Sequence, residues 1–144
     1  MIRAEVALPR HVATIRPRLI FQADTSIRSR VSVGIYTDKS RAFVADNGQV
    51  LAIVGATLLW PGVYEFWGFT SDIPNKYKVQ FARLLLEHLT FFCIDNNVKR
   101  AQMVVREGYF AEMKFAEHLG FQREGLMRCY GPEGASYYMY GRVF

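Results

Sequence analysis

The chain has 144 residues, a formal net charge of +5, 51% hydrophobic and 15% aromatic residues. This length fits a single domain, residues 1–144, that buries roughly two-thirds of its unfolded surface. The composition excludes a disordered chain. No apolar run approaches the ~20 residues of a membrane span, and no signal-peptide pattern opens the chain. We therefore expect a soluble, cytoplasmic protein without a membrane span.

Two cysteines are too few for a disulfide framework or a cysteine zinc site, and we expect no metal site. Cys93 lies in a predicted helix and Cys129 in a predicted strand, so buried thiols are expected.

The positive charge is concentrated in the first 30 residues, where six arginines face only Glu5 and Asp24. Arginines on a solvated helix explain this cluster, but it can also attract nucleic acid or an acidic partner. No nucleic-acid motif accompanies the charge. The arginines are Arg3, Arg10, Arg16, Arg18, Arg28 and Arg30.

The first third of the chain predicts two strands separated by helices. Pro17 should divide the helical region into two short helices, because proline breaks the hydrogen-bond pattern of a helix interior. The predicted elements are a strand over Ile2–Leu8, helices within His11–Arg28, a strand over Val31–Tyr36 and a turn over Thr37–Ser40.

An antiparallel meander follows. Asn47-Gly48 between two apolar runs is a strong hairpin signal, because both central residues of the favoured turn have positive φ. Trp60-Pro61-Gly62 forms the next turn. The predicted strands are Arg41–Asp46, Gln49–Leu59 and Val63–Thr70.

The most periodic stretch of the chain is a long helix that ends near Asn96-Asn97. Its apolar positions recur at the spacing of one helix face. These are Phe81, Leu84, Leu85, His88, Leu89 and Phe92.

The remaining residues predict strand, helix, strand and strand. The first of these strands can lie parallel to Val63–Thr70 through a right-handed crossover. Gly120 should end the short helix in the left-handed conformation. The elements are Arg100–Arg106, Tyr109–Leu119, Phe121–Tyr130 and Ala135–Val143.

This order, with Leu119-Gly120-Phe121, Glu124-Gly125 and Tyr137-Tyr138-Met139 near its end, resembles the GNAT (GCN5-related N-acetyltransferase) superfamily. The resemblance implies an α/β (α+β) fold with a mixed, largely antiparallel sheet of six to seven strands flanked by helices. Residues 66–72 (FWGFTSD), followed by a basic helix, also resemble the small GNAT-like internal virion proteins of T7-like short-tailed phages. That likeness implies other virion proteins or a second copy as partners, and the host cytoplasm or the virion as the location.

The GNAT resemblance implies that acetyl-CoA binds between the fourth and fifth strands. Its pyrophosphate would rest on backbone N–H groups of a glycine-rich loop that opens the long helix. Here the corresponding turn, residues 72–78, has no glycine, and Asp72 reads more simply as an N-cap that occupies those N–H groups. If acetyl-CoA is bound at all, Thr70, Lys76, Tyr77 and Lys78 are the candidate cofactor-binding residues.

The resemblance also identifies candidate catalytic residues. Glu65 lies on the strand where family members carry the carboxylate that deprotonates the amine, although a strand residue of this kind can equally be solvent-facing. The position of the family's tyrosine acid is Ala116, so Tyr130 is the candidate that replaces it. His88 reads as a core residue and His118 as a helix C-terminal residue.

The altered loop favours a phage-encoded GNAT-fold protein that acts in the virion or its assembly. The alternatives are an active acetyl-CoA-dependent N-acetyltransferase on an unidentified amine, and a binder of nucleic acid or an acidic partner through the arginine-rich third. Because the loop is altered, the sequence leaves enzymatic activity undecided.

Overall fold

The computed structural model describes residues 1–16 and 39–144. The predicted break at Pro17, the strand Val31–Tyr36 and half of the turn Thr37–Ser40 lie outside the described residues. No helix in the described part of the chain is long and apolar enough to cross a membrane.

The described strands are β1 (Ile2–Val6), β2 (Arg41–Ala45), β3 (Val50–Trp60), β4 (Val63–Thr70), β5 (Arg100–Arg106), β6 (Gln122–Met127) and β7 (Tyr137–Val143). They form one sheet in the order β1-β2-β3-β4-β5-β7-β6. The β4–β5 pair is parallel, whereas β1–β2, β2–β3, β5–β7 and β6–β7 are antiparallel. The predicted mixed, largely antiparallel sheet of six to seven strands is therefore confirmed.

The described helices are α1 (Pro9–Thr14), α2 (Asn75–Asp95) and α3 (Phe110–His118), with a short 3-10 turn at Pro132–Gly134. Helix α1 begins two residues before the predicted start, because Pro9 fits the first helical position, where no N–H is needed. Gly120 follows α3 with φ +89°, as predicted, and its N–H bonds to the carbonyl of Glu117.

The chain divides into two compact units. The first holds Met1–Ala56 and Trp67–His88, and the second holds Thr57–Phe66 and Leu89–Phe144. The single domain over residues 1–144 stays a prediction.

The core of the first unit is an apolar cluster from β2, β3, β4 and the segment around α1. The half of α2 in this unit is held by Phe43, whose ring meets Phe81 and His88 edge-on at 5.4 and 5.6 Å between ring centroids. Burial lowers the pKa of His88, in agreement with a core position. The cluster consists of Ala7, Ile15, Ala42, Val44, Val50, Ile53 and Phe69, with Val12 and Trp67 packed against it.

In the second unit, the end of α2 packs on β4. Tyr64 and Phe66 meet the ring of Phe92 edge-on at 5.1 and 5.4 Å between centroids. Cys93 on the same helix is buried, as expected, and burial raises the pKa of its thiol to about 11. The apolar positions predicted for α2 therefore face the sheet in each unit.

Three local predictions need correction. The β2–β3 hairpin is present, but only Gly48 has positive φ, and the bonds from Gly48 N and Ala45 N to Ala45 O and Gln49 O indicate a type I turn with a glycine bulge. Strand β6 ends at Met127 rather than at Tyr130, because the chain turns at Cys129, whose φ is +56°. Cys129 is consequently exposed, not buried in a strand.

Candidate functional site

The segment that joins β4 to α2 is tied to the β2–β3 hairpin within the first unit. Ser71 is buried, and its N–H and hydroxyl both donate to the carbonyl of Leu51, at 2.9 and 3.3 Å. The side-chain amide of Gln49 donates to Ser71 Oγ and to the carbonyl of Asp72, each at 3.4 Å. These bonds fix the path of the chain where the family resemblance expects the cofactor loop.

A second tie joins the hairpin to the first turn of α2. The hydroxyl of Tyr77 donates to Asp46 Oδ1 at 2.5 Å, and the Tyr77 side chain is buried. This hydrogen bond, with a further one from the amino group of Met1, lowers the pKa of Asp46 to about 2. Tyr77 therefore uses its hydroxyl inside the fold, and its predicted role in cofactor binding remains a prediction.

Helix α2 begins at Asn75, so its N-cap position is Pro74 and Asp72 lies two residues further back. The cap predicted at Asp72 is therefore not confirmed. Tyr77 N–H bonds to the carbonyl of Pro74, but among the described residues no acceptor is found for the N–H groups of Asn75 and Lys76. These two donors lie at the positive end of a 21-residue helix.

The first turn of α2 carries two lysines. Lys76 and Lys78 are exposed, and Lys76 Nζ lies 4.7 Å from the centre of the Tyr77 ring. Thr70, the last residue of β4, is half-buried. These N–H groups and ammonium groups are donors that a phosphate oxygen accepts, whereas the exposed Asp72 and the Asp46 carboxylate that interacts with Lys76 add negative charge. The turn lacks glycine, so an anion meets these donors without the close backbone approach that glycine permits.

Glu65 lies in the second unit, at the end of a short parallel ladder. Its partner in the register is Gln102, and theirs is the last of the three pairs that join β4 to β5. Both side chains are half-buried. Paired residues point to the same face of a sheet, so a carboxylate and an amide lie side by side there.

Tyr130 lies elsewhere in the same unit. It is 49% exposed, and its ring meets that of Tyr137 at 5.7 Å between centroids. Tyr137 pairs with Arg106, four residues beyond Gln102 and thus about 13 Å along β5. The structure does not place Tyr130 beside Glu65, and its role as a proton donor stays a prediction.

Two further positions considered in the sequence, Ala116 and His118, lie in or at the end of α3. Ala116 is buried in α3, and His118 is exposed and stacks on Phe115 at 6.3 Å between ring centroids. Among the described residues no group of three or more His, Cys, Asp or Glu side chains could hold a metal ion.

Sequence patterns missed Gln102, which is in register with Glu65. Arg100 Nε donates to Gln102 Oε1 at 3.0 Å, and the guanidinium also bonds to Glu124. Arg100 and Gln102 lie two residues apart on β5, so they share a face of the sheet. The position of Gln102 beside Glu65 depends on the register of β4 against β5, which carries no local signal in the sequence.

No protein-family model matches the sequence, and no curated protein matches it. Solved structures match over nearly the whole chain. Ard1 from Thermoplasma volcanium superposes with a TM-score of 0.77 at 11% identity, over 99% of this chain and 97% of that one. The chain has the fold of the GNAT acetyltransferases, the group named in the two neighbours that follow.

Two further neighbours carry the GNAT name. A GCN5-related N-acetyltransferase from Kribbella flavida has a TM-score of 0.71 at 15% identity, over 99% of this chain and 98% of that one. A GNAT superfamily phosphinothricin acetyltransferase (Pat) from Sinorhizobium meliloti, in complex with AcCoA, has a TM-score of 0.72 at 16% identity, over 100% of this chain and 88% of that one. None of these likenesses supports the resemblance to phage internal virion proteins.

Proposed function

We propose that this protein is an acetyl-CoA-dependent N-acetyltransferase. The observation that carries the proposal is the start of α2, where the N–H groups of Asn75 and Lys76 have no acceptor among the described residues. The sequence raised two objections to activity: the turn has no glycine, which still holds, and Asp72 would cap the helix, whereas Asp72 lies two residues before the N-cap position. The likeness of the fold to acetyltransferases, one of them solved with AcCoA, supports the same reading.

Under this proposal the start of α2 binds the cofactor, and Glu65 acts on the acceptor amine. The N–H groups of Asn75 and Lys76, with the ammonium groups of Lys76 and Lys78, would hold the cofactor's diphosphate. Tyr77 would act indirectly, because its bond to Asp46 anchors this first turn. Acetyl-CoA, when bound, supplies an acetyl group activated as a thioester.

Glu65 would accept a proton from the acceptor ammonium, directly or through water. Amines are protonated at neutral pH and react only as the free base, so a carboxylate at this position is useful before transfer. Its place at the end of the β4–β5 ladder supports this role, because the resemblance expects the cofactor beside these two strands.

Binding and catalysis can be tested separately. We expect acetyl-CoA to bind at micromolar concentration in isothermal titration, and Lys76→Ala/Lys78→Ala to weaken that binding. We expect Glu65→Gln to retain binding and to lower the transfer rate about 10²–10⁴-fold, the usual contribution of a general base. Glu107→Gln, which alters an exposed carboxylate after β5, is the matched control.

Two results would contradict the proposal. Absence of acetyl-CoA binding at millimolar concentration would return the fold to a structural role. Equal transfer rates for wild type and Glu65→Gln would remove Glu65 from the mechanism. The virion or assembly role has no feature of the described residues in its favour. Of the arginine cluster, Arg18, Arg28 and Arg30 lie outside the described residues, and Arg3 and Arg10 pair with Glu5, so we do not pursue the nucleic-acid role.

A further inference from the structure

A row of side chains crosses the sheet of the second unit at the level of Glu65. In the register, Glu65 pairs with Gln102, Gln102 with Gly141, and Gly141 with Gln122. Directly paired residues lie on the same face. This face therefore carries a carboxylate, an amide, a gap where glycine has no side chain, and a second amide at the sheet edge.

The gap at Gly141 allows an ion pair to cross β7. A Cβ there would lie 2.5 Å from Glu124 Oε2 and 2.8 Å from Arg100 Nη1, so no larger residue fits without displacing the pair. The two nitrogens of Arg100 donate to the two oxygens of Glu124 at 2.9 and 2.5 Å. Such a two-point contact fixes the plane of the guanidinium.

The fixed guanidinium in turn orients Gln102. Arg100 Nε donates to Gln102 Oε1, and an arginine nitrogen can only donate, so the oxygen of the amide must face it. The amino group of Gln102 then faces away from Arg100. No acceptor for this amino group is found in the part of the chain that the structure describes. A half-buried donor in a fixed orientation without an acceptor is suited to bind a ligand oxygen.

We infer that the amino group of Gln102 recognises an oxygen of the acceptor substrate close to its reacting amine. The inference rests on the proposed function, because it needs Glu65 to contact that amine. Neighbouring strands are about 4.8 Å apart, so groups bound by Glu65 and Gln102 are separated by a few covalent bonds. An oxygen on the second carbon from the nitrogen meets this requirement. The substrate class is then a 1,2-amino alcohol, an α-amino acid or the N-terminal residue of a peptide.

Two amines of equal size test this inference. Ethanolamine carries an oxygen at the required position, and n-propylamine has a methyl group there. We expect the wild type to have a higher kcat/KM for ethanolamine. Gln102→Leu, which keeps the size and removes the amide, should lower kcat/KM for ethanolamine roughly three- to tenfold, the effect of one hydrogen bond to a neutral group. Its kcat/KM for n-propylamine should not change.

Two further variants complete the experiment. Gln102→Met keeps the length of the side chain and removes the amide, so it should lose the preference for ethanolamine even if Gln102→Leu does not fold. Gln122→Leu removes the amide of the same row at the sheet edge, away from Glu65, and should behave as the wild type with both amines. Thermal unfolding of each variant identifies loss of structure.

The outcomes separate the two proposals. Equal loss for both amines in Gln102→Leu, or an unchanged preference, overturns the role of Gln102. If the wild type binds acetyl-CoA in titration but does not distinguish the amines, or acetylates neither, this inference is wrong and the proposed function stands. If acetyl-CoA does not bind, both are wrong.

Discussion

The close approach of Trp67 to Gly55 gives a stability prediction that can be worked from distances. Gly55 lies in β3, and a methyl group in place of its hydrogen would lie 2.2 Å from Cζ2 and 2.5 Å from Cε2 of Trp67. Real Cβ contacts of this length do not occur, and the atoms belong to a rigid indole rather than to a flexible chain end. Since Trp67 packs against the core cluster of the first unit, the whole ring must move.

The expected cost of Gly55→Ala follows from two opposing effects. Overpacking of a core typically costs about 1–3 kcal/mol. Loss of glycine from a strand interior returns about 0.5–1 kcal/mol. We therefore expect a net loss of roughly 1–2 kcal/mol in the free energy of unfolding, measured by urea denaturation. The emission of Trp67, recorded in a Trp60→Phe background, should also change in the native state.

Gly125→Ala is the matched control, because Gly125 also lies in a strand and an added Cβ would meet no atom within 4 Å. We expect this variant to be as stable as the wild type or slightly more stable. Gly55→Ala combined with Trp67→Leu should recover part of the loss, because the ring that causes the clash is gone. If Gly55→Ala is as stable as Gly125→Ala, the packing of Trp67 on β3 is not as described.

Two predictions concern single side chains. The pKa of Asp46 is lowered from 3.8 to about 2, first by the hydrogen bond from the hydroxyl of Tyr77. The ionised carboxylate therefore stabilises the fold above pH 3.8, and this contribution is lost as the pH falls towards about 2. Tyr77→Phe should reduce the fall in thermal midpoint over this pH range, and an unchanged fall would mean that the hydrogen bond is absent in solution. Cys129 is exposed and Cys93 is buried with a raised pKa. A thiol reagent should therefore label Cys129 in the native protein and Cys93 only after unfolding. Fast labelling of native Cys129→Ser, whose one thiol is Cys93, would contradict the burial of Cys93.

The start of α2 illustrates how far local sequence can lead. Absence of glycine and presence of Asp72 in residues 72–78 favoured a capped helix without a phosphate site. The helix instead begins at Asn75, and two N–H groups lack acceptors among the described residues. Helix ends are defined only to within one or two residues, so the N-cap position is the part of this prediction that local sequence determines least. The absence of glycine from the turn still holds, and a phosphate site there stays a prediction.

The sequence by itself determined the order of the described elements and the type of sheet. Strand β4 and strand β5 have the predicted bounds, and the apolar stripe of α2 faces the sheet in each unit, because periodicity is a local property that burial of one face enforces. The motifs near the end of the chain, of which Leu119-Gly120-Phe121 is the first, resemble those of the GNAT superfamily, and the solved structures share that fold. These features depend on neighbours within a few residues along the chain.

Only the tertiary structure decided which polar groups meet. Glu65 lies beside Gln102 because β4 and β5 pair in one register, and a shift of one residue would turn either side chain to the other face. The pair of Arg100 with Glu124 needs Gly141 between them, from a third strand. The bond from Tyr77 to Asp46 joins residues 31 positions apart. Such contacts are set by how strands and helix assemble, so no local pattern in the sequence could identify them.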